Sequence, residues 1–275
     1  MAAAPDPISA DQACVLLAES VTCVRGKRKI LNALSLPPLQ GGKLVALVGP
    51  NGSGKSTLMR ALAGLLPARI DTLTLNGIAL HDKPAVVRAN HLRYLPQSLP
   101  SHVHLTVTET LLVALNVRTA NTPETQSAAM VRKVLDDLGI EHLANCYLDE
   151  LSGGQQQLVG LAQTLITPPK VLLLDEPLAS LDLNYQHHVL RLLLQLCEKR
   201  NMLILVVLHD LNLALSYASE LLVLHYGKLA AAGSPASTLT SQLLEQVFSV
   251  KAQISAAGQH TPHLLIEAPL PLNPQ

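Results

Sequence analysis

The run Gly49-Pro50-Asn51-Gly52-Ser53-Gly54-Lys55-Ser56-Thr57 constrains this chain more than any other stretch. It fills the pattern G-x-x-x-x-G-K-[ST] at every position. The apolar segment Leu44–Val48 leads into it and a helix-compatible run, Thr57–Gly64, leads out. That strand–loop–helix context gives the pattern its meaning. Glycines let the loop bend so that successive N–H groups point inward at phosphate oxygens, and the following helix adds its positive end. Lys55 is then expected to reach the β- and γ-phosphates of a nucleotide, and Ser56 to offer its hydroxyl to Mg²⁺.

A chain of 275 residues can bury a large core. Its 20 basic and 20 acidic residues cancel, which speaks against a nucleic-acid partner. Apolar residues make up 48% of the chain but are dispersed. Runs such as Leu203–Leu208 suit buried strands and fall far short of the ~20 residues of a membrane span. The start Met1–Pro7 lacks the basic and apolar regions of a signal peptide. Cys14, Cys23, Cys146 and Cys197 have no metal-binding spacing and read as reduced filler. With no Trp and Phe248 as the single Phe, the core must be aliphatic.

Residues 1–12 read as a loose lead. Cys14 to Leu36 suggests a strand, a turn and a second strand, broken at Arg25–Lys29. Leu73–Gly77 reads as a short strand and turn, and Pro96-Gln97-Ser98 as a polar break. A helical block follows. Thr106 and Glu109 have capping-box spacing, and helices are expected at 128–138 and 152–166. Strand signals return at Val171–Leu174, Leu203–Leu208 and Leu221–Leu224, separated by helical runs at 184–200 and 210–219. Alternation of this kind indicates an α/β fold with a parallel sheet covered on both faces.

Three further groups carry chemistry. Strand Val171–Leu174 delivers the adjacent carboxylates Asp175 and Glu176 to the sheet edge. There Asp175 can hold Mg²⁺ and Glu176 can take a proton from an attacking water. Leu151-Ser152-Gly153-Gly154-Gln155 opens a helix as a nest of N–H donors, although five residues alone also describe a plain loop and cap. His209 follows a strand, where it is either structural or a donor to the γ-phosphate.

The set and order Gly49–Thr57, Gln97, Leu151–Gln155, Leu174–Pro177, Ser180-Leu181-Asp182 and His209 resemble the ATP-binding cassette ATPases over about residues 14–265. The resemblance implies a P-loop NTPase fold: a RecA-like core with a mainly parallel sheet, an N-terminal antiparallel portion and an inserted helical subdomain. It places the core at about 14–97 and 167–230, the helical subdomain at about 98–166 and a short tail at 231–275. It implies ATP and Mg²⁺ as cofactors and a head-to-tail homodimer sandwiching two nucleotides. Glu176 is then the catalytic base and His209 the γ-phosphate switch. Gln97 senses the metal and the water, and Asp175 and Ser56 serve the metal. Ser152, Gly153, Gly154 and Gln155 reach the nucleotide of the other copy, and Asp182 communicates between sites. Integral membrane permease subunits and an extracytoplasmic binding protein are the implied partners, with the chain peripheral on the cytoplasmic face of the inner membrane.

A finer resemblance lies in Leu208–Ala214, Tyr217-Ala218, Gly227-Lys228 and Thr240–Phe248, which are similar to importers of iron–siderophores, haem and cobalamin. The expected cargo is an iron–siderophore-type chelate. The alternatives are haem, cobalamin, a divalent metal, or a soluble role outside transport. Two positions depart from the family. Arg25 stands where an aromatic residue usually stacks on adenine, and a guanidinium can also stack on a base. Gln156, Leu158 and Gln163 follow the signature where basic residues are common.

Overall fold

Leu44–Val48, Val171–Leu174 and Leu203–Val207 are each buried at every position. Strands this apolar must be covered on both faces. The computed structural model shows how that is done. It describes residues 14–97, 104–117, 123–255 and 262–270. The expected lead at 1–12 and the Ser98 end of the polar break lie outside those residues.

In chain order the first part runs β1 (Val15–Glu19), β2 (Val21–Arg25), β3 (Arg28–Leu34), β4 (Leu39–Gln40) and β5 (Leu44–Val48). It continues through α1 (Lys55–Leu62), β6 (Thr72–Leu75), β7 (Ile78–Ala79), α2 (Ala85–Arg88) and β8 (Leu92–Leu95). Helices α3 (Val107–Asn116), α4 (Glu124–Asp137) and α5 (Gly153–Leu165) form the helical block. Then come β9 (Val171–Leu174), α6 (Leu183–Arg200), β10 (Leu203–Val207), α7 (Leu211–Tyr217), β11 (Glu220–His225) and β12 (Lys228–Gly233). The end holds α8 (Pro235–Thr238), α9 (Ser241–Leu243) passing into a π-helical turn, and the hairpin β13 (Val250–Ser255) with β14 (His263–Pro269).

The main sheet has the order β12-β11-β5-β10-β9-β8, parallel except for the β11–β12 edge pair. Its residues alternate between two cores. Leu44, Ala46, Val48, Leu172, Leu174, Ile204 and Val206 face α3–α7. Val45, Leu47, Leu173, Leu205 and Val207 face α1 and the antiparallel strands. The period of two is the pleat itself. Both cores are aliphatic, and truncating a fully buried member such as Leu205 to alanine should cost ~2–5 kcal/mol. The expected α/β class, parallel sheet and N-terminal antiparallel portion are all present.

Several local readings need correction. Cys14 to Leu36 holds three strands, because Ser20 takes a left-handed conformation (φ 54°) and moves the chain from the β4-β1-β6-β7 sheet to the β2–β3 hairpin. Helix α4 begins at Glu124, earlier than expected, directly after Pro123. Thr106 and Glu109 do form a reciprocal capping box. The final stretch is more than a tail. Leu239, Leu244, Val247, Ala252 and Leu264 join the larger core. Asn212 of α7 accepts from Leu264 N at 2.7 Å and donates to Leu264 O at 3.5 Å, clipping β14 to α7. Among the described residues no helix is long and apolar enough to cross a membrane.

Candidate functional site

The loop Gly49–Gly54 follows the C-terminal end of β5, which lies between β11 and β10 in the sheet. The open end of a parallel sheet is where such folds bind ligands. Gly49 has φ 149°, and any Cβ there would be driven into the Leu224 carbonyl of β11. Glycine is therefore required for the loop to leave the sheet at this point. Ser53 Oγ is buried without a hydrogen-bond partner, a polar atom waiting for an acceptor or donor inside the loop.

Lys55 opens α1 and is 6% exposed. Its ammonium folds back onto the loop, donating to Gly49 O at 2.7 Å and Pro50 O at 3.0 Å. Burial pushes its pKa down, opposed by the charges of Glu176 and Asp175. A cation so placed gains from any anion that enters the loop.

Asp175 stands at the end of β9, fully buried. Ser56 Oγ donates to its Oδ1 at 2.9 Å and Tyr94 O–H to its Oδ2 at 3.0 Å. Ser56 and Asp175 form a hard-oxygen pair at the mouth of the phosphate loop. That donor set suits Mg²⁺, which takes one or two protein oxygens beside phosphates and water. Among the described residues no cluster of three or more His, Cys, Asp or Glu side chains forms a metal cage.

Glu176 carries a positive φ of 52°, uncommon for a residue with a side chain and frequent at functional sites. Its Oε1 is 2.6 Å from His209 Nε2, and its Oε2 accepts from Gln97 Nε2 at 2.6 Å. Gln97, Asp175-Glu176 and His209 thus arrive from the ends of β8, β9 and β10, adjacent strands of one sheet. Each oxygen keeps a lone pair beside its one partner, so a carboxylate in this setting can accept a proton from a water.

The remaining expected residues form a second group. Ser152 caps α5 in a reciprocal box with Gln155. A Cβ on Gly154 would come within 2.5 Å of Ser180 O, so α5 can start only where a glycine permits the contact. Asp182 caps α6 by accepting from Tyr185 N at 2.9 Å. Ser152 and Gln155 bond each other, Asp182 bonds its own helix, and Gly154 lies against Ser180 and Leu181. Gln156, in place of a basic residue, donates to Leu148 O and Leu151 O and holds the loop before α5.

Arg25 ends β2, exposed, opposite Arg28. The hairpin borders the phosphate loop: a Cβ on Gly54 would meet Leu31 of β3 at 2.8 Å. Sequence reasoning missed Tyr94 and Arg60. Arg60 was visible four residues after Ser56, on one face of α1, and its Nε donates to Tyr94 O–H at 3.2 Å. It also missed Arg93 of β8, which donates to Thr164 O and Thr167 O at the end of α5.

The sequence pattern of the ABC transporter family matches residues 31–179, from β3 to just past Glu176. The chain belongs to the ABC transporter family. It is an ATP-binding ATPase subunit of that family. The chain is 35% identical over 253 residues to the hemin import ATP-binding protein HmuV of Plesiomonas shigelloides, covering 86% of this chain and 95% of the relative. The HmuV of Vibrio cholerae is 36% identical over 236 residues, covering 84% and 90%. A solved inward-facing metal-chelate type ABC transporter superposes with a TM-score of 0.75 at 26% identity, over 92% of this chain and 97% of that one. An ATP-binding cassette of an ABC transporter in its ADP conformation gives 0.68 at 27% identity, over 80% and 91%. The phosphate loop, the β9 carboxylates and His209 follow β5, β9 and β10, neighbouring strands of one sheet.

Proposed function

We propose that this chain is the ATP-hydrolysing subunit of an importer for an iron-bearing chelate, with haem as its cargo. The observation that carries the reading is the convergence of Lys55, Ser56, Asp175, Glu176, Gln97 and His209 at one sheet edge, in a chain whose relatives are named for hemin import.

Lys55 and the loop amides bind the β- and γ-phosphates. Ser56 and Asp175 hold Mg²⁺, with Gln97 at the same edge. When bound, Mg²⁺ supplies charge neutralisation to the phosphates. Glu176 orients a water with the lone pairs its two partners leave free and takes its proton. His209 turns from Glu176 toward the γ-phosphate. Ser152–Gln155 of a second copy complete the nucleotide site, which explains why they stand apart from Lys55 within one chain. Asp182 links the two sites. Closure and reopening of that homodimer drive separate permease subunits at the cytoplasmic face of the membrane, fed by an extracytoplasmic binding protein. Arg25 lies on the base side and stacks on the nucleobase without an aromatic ring.

The test is reconstitution with membrane permease subunits of a haem importer, in vesicles loaded with Mg·ATP. Haem uptake that requires ATP and is lost with Glu176→Gln supports the reading. Uptake of a ferric siderophore in place of haem would move the cargo to the siderophore class. ATP turnover with no membrane partner would overturn the importer assignment.

A further inference from the structure

Asp175 has no exposed surface, yet each of its carboxylate oxygens is spoken for by a different element. Oδ1 accepts from Ser56 of α1, and Oδ2 accepts from Tyr94 of β8. The Tyr94 oxygen itself accepts from Arg60 Nε at 3.2 Å. Ser56 and Arg60 are one turn apart on α1, so helix and strand close a ring around the carboxylate: Ser56, Asp175, Tyr94, Arg60 and back to α1. Asp175 N donates to Leu95 O, which anchors the backbone to the same strand.

This arrangement fixes a torsion. A carboxylate held only through Oδ1 can rotate about its Cβ–Cγ bond, which is a broad, soft torsion. A second donor on Oδ2 removes that freedom. The Tyr94 hydroxyl supplies that second donor, at 3.0 Å from Oδ2. The arginine donates to the phenol oxygen and polarises its O–H toward Asp175. Ser56, by contrast, can leave Oδ1 at small cost, because its hydroxyl rotates freely. Oδ1 is thus the replaceable contact and Oδ2 the permanent one.

We propose that Tyr94, polarised by Arg60, is a positioning residue that locks Asp175 with Oδ1 presented to the cation site, and so sets the affinity of that site for its divalent metal. The proposal rests on the assignment of Ser56 and Asp175 to the metal given above. It adds two residues outside the phosphate loop and the β9 carboxylates, and it ties metal affinity to the seating of α1 against β8. Partners that orient metal ligands typically govern metal affinity by ~10–100-fold.

The experiment is a titration of a fluorescent ATP analogue into the full chain, at stepped Mg²⁺ and in EDTA, with Mn²⁺ binding to the nucleotide complex read by electron paramagnetic resonance. Tyr94→Phe keeps the ring and deletes the hydroxyl. It should raise the Mg²⁺ needed for half-maximal tight binding by about tenfold, weaken Mn²⁺ similarly, and leave the EDTA affinity unchanged. Arg60→Met, at an exposed position, should shift the same quantity less, and the double variant should be no worse than Tyr94→Phe. A Mg²⁺ requirement within twofold of wild type in Tyr94→Phe overturns the proposal. So does an equal loss in EDTA, which would make Tyr94 a support for the nucleotide or the fold. Should Tyr94→Phe fail to fold, Arg60→Met alone decides by the same two readouts. Failure of the underlying metal assignment looks different: wild type itself would then bind nucleotide equally with Mg²⁺ and with EDTA.

Discussion

His209 Nε2 lies 2.6 Å from Glu176 Oε1, joining the ends of two neighbouring parallel strands. With Gln97 on Oε2, each carboxylate oxygen holds one partner and keeps a second lone pair with which to accept from a water. Glu176→Gln keeps the shape but cannot take a proton. Single-turnover hydrolysis should fall by ~10²–10⁴-fold while Mg·ATP binding persists and an ATP-bound dimer accumulates in light scattering. Turnover within a few-fold of wild type would transfer the role of base to another group, His209 first.

Lys55 separates binding from stability. Burial lowers its pKa from 10.5, and a cation depressed on folding weakens the empty protein at neutral pH. That cost shrinks as pH rises toward 10.5 and the ammonium loses its proton in both states. Lys55→Met should therefore leave the melting temperature without nucleotide equal or higher, with the largest gain below the depressed pKa. Stabilisation by ATP should vanish. A variant still stabilised by ATP as strongly as wild type would show that the loop does not use this cation.

Arg25 is expected to act on the base. Arg25→Ala should raise the Michaelis constant for ATP several-fold and change turnover little, because stacking is the same in ground and transition states. Since every base offers a π-face, GTP should be hydrolysed nearly as well as ATP by wild type. An unchanged Michaelis constant in Arg25→Ala would leave the hairpin as a solvated turn.

The cysteines give a check on the cores. Burial pushes the Cys197 thiol up to about 12 and raises Cys14 and Cys23 as well. Cys146 is the partly exposed one. At pH 8 a thiol reagent should modify Cys146 and leave Cys14, Cys23 and Cys197 untouched until denaturant is added. Rapid labelling of Cys197 in the native protein, read by peptide mass, would contradict the packing of α6 on β10.

Much of this was legible in the sequence because it rests on local rules. The loop Gly49–Thr57, the capping box Thr106–Glu109 and the buried strands each follow from short-range patterns. Ser20 was not legible, since an isolated left-handed residue leaves no periodicity. Tyr94, Arg60 and Arg93 were missed for a different reason: their partners lie far along the chain, and only sheet order brings them together. The C-terminal hairpin was hidden by its alternation of exposed residues with just two deeply buried ones, Ala252 and Leu264.

The paired hydrogen bonds between Asn212 and Leu264 bind the fate of two segments that look independent in the chain. A ribbon attached to the first turn of a seven-residue helix cannot lift away without leaving the Asn212 amide and the Leu264 backbone unpaired. The C-terminal ribbon and the helix that follows His209 should accordingly open to solvent as one cooperative unit, with matched amide exchange rates. Strand β14 thus sets how often the segment behind His209 is loosened.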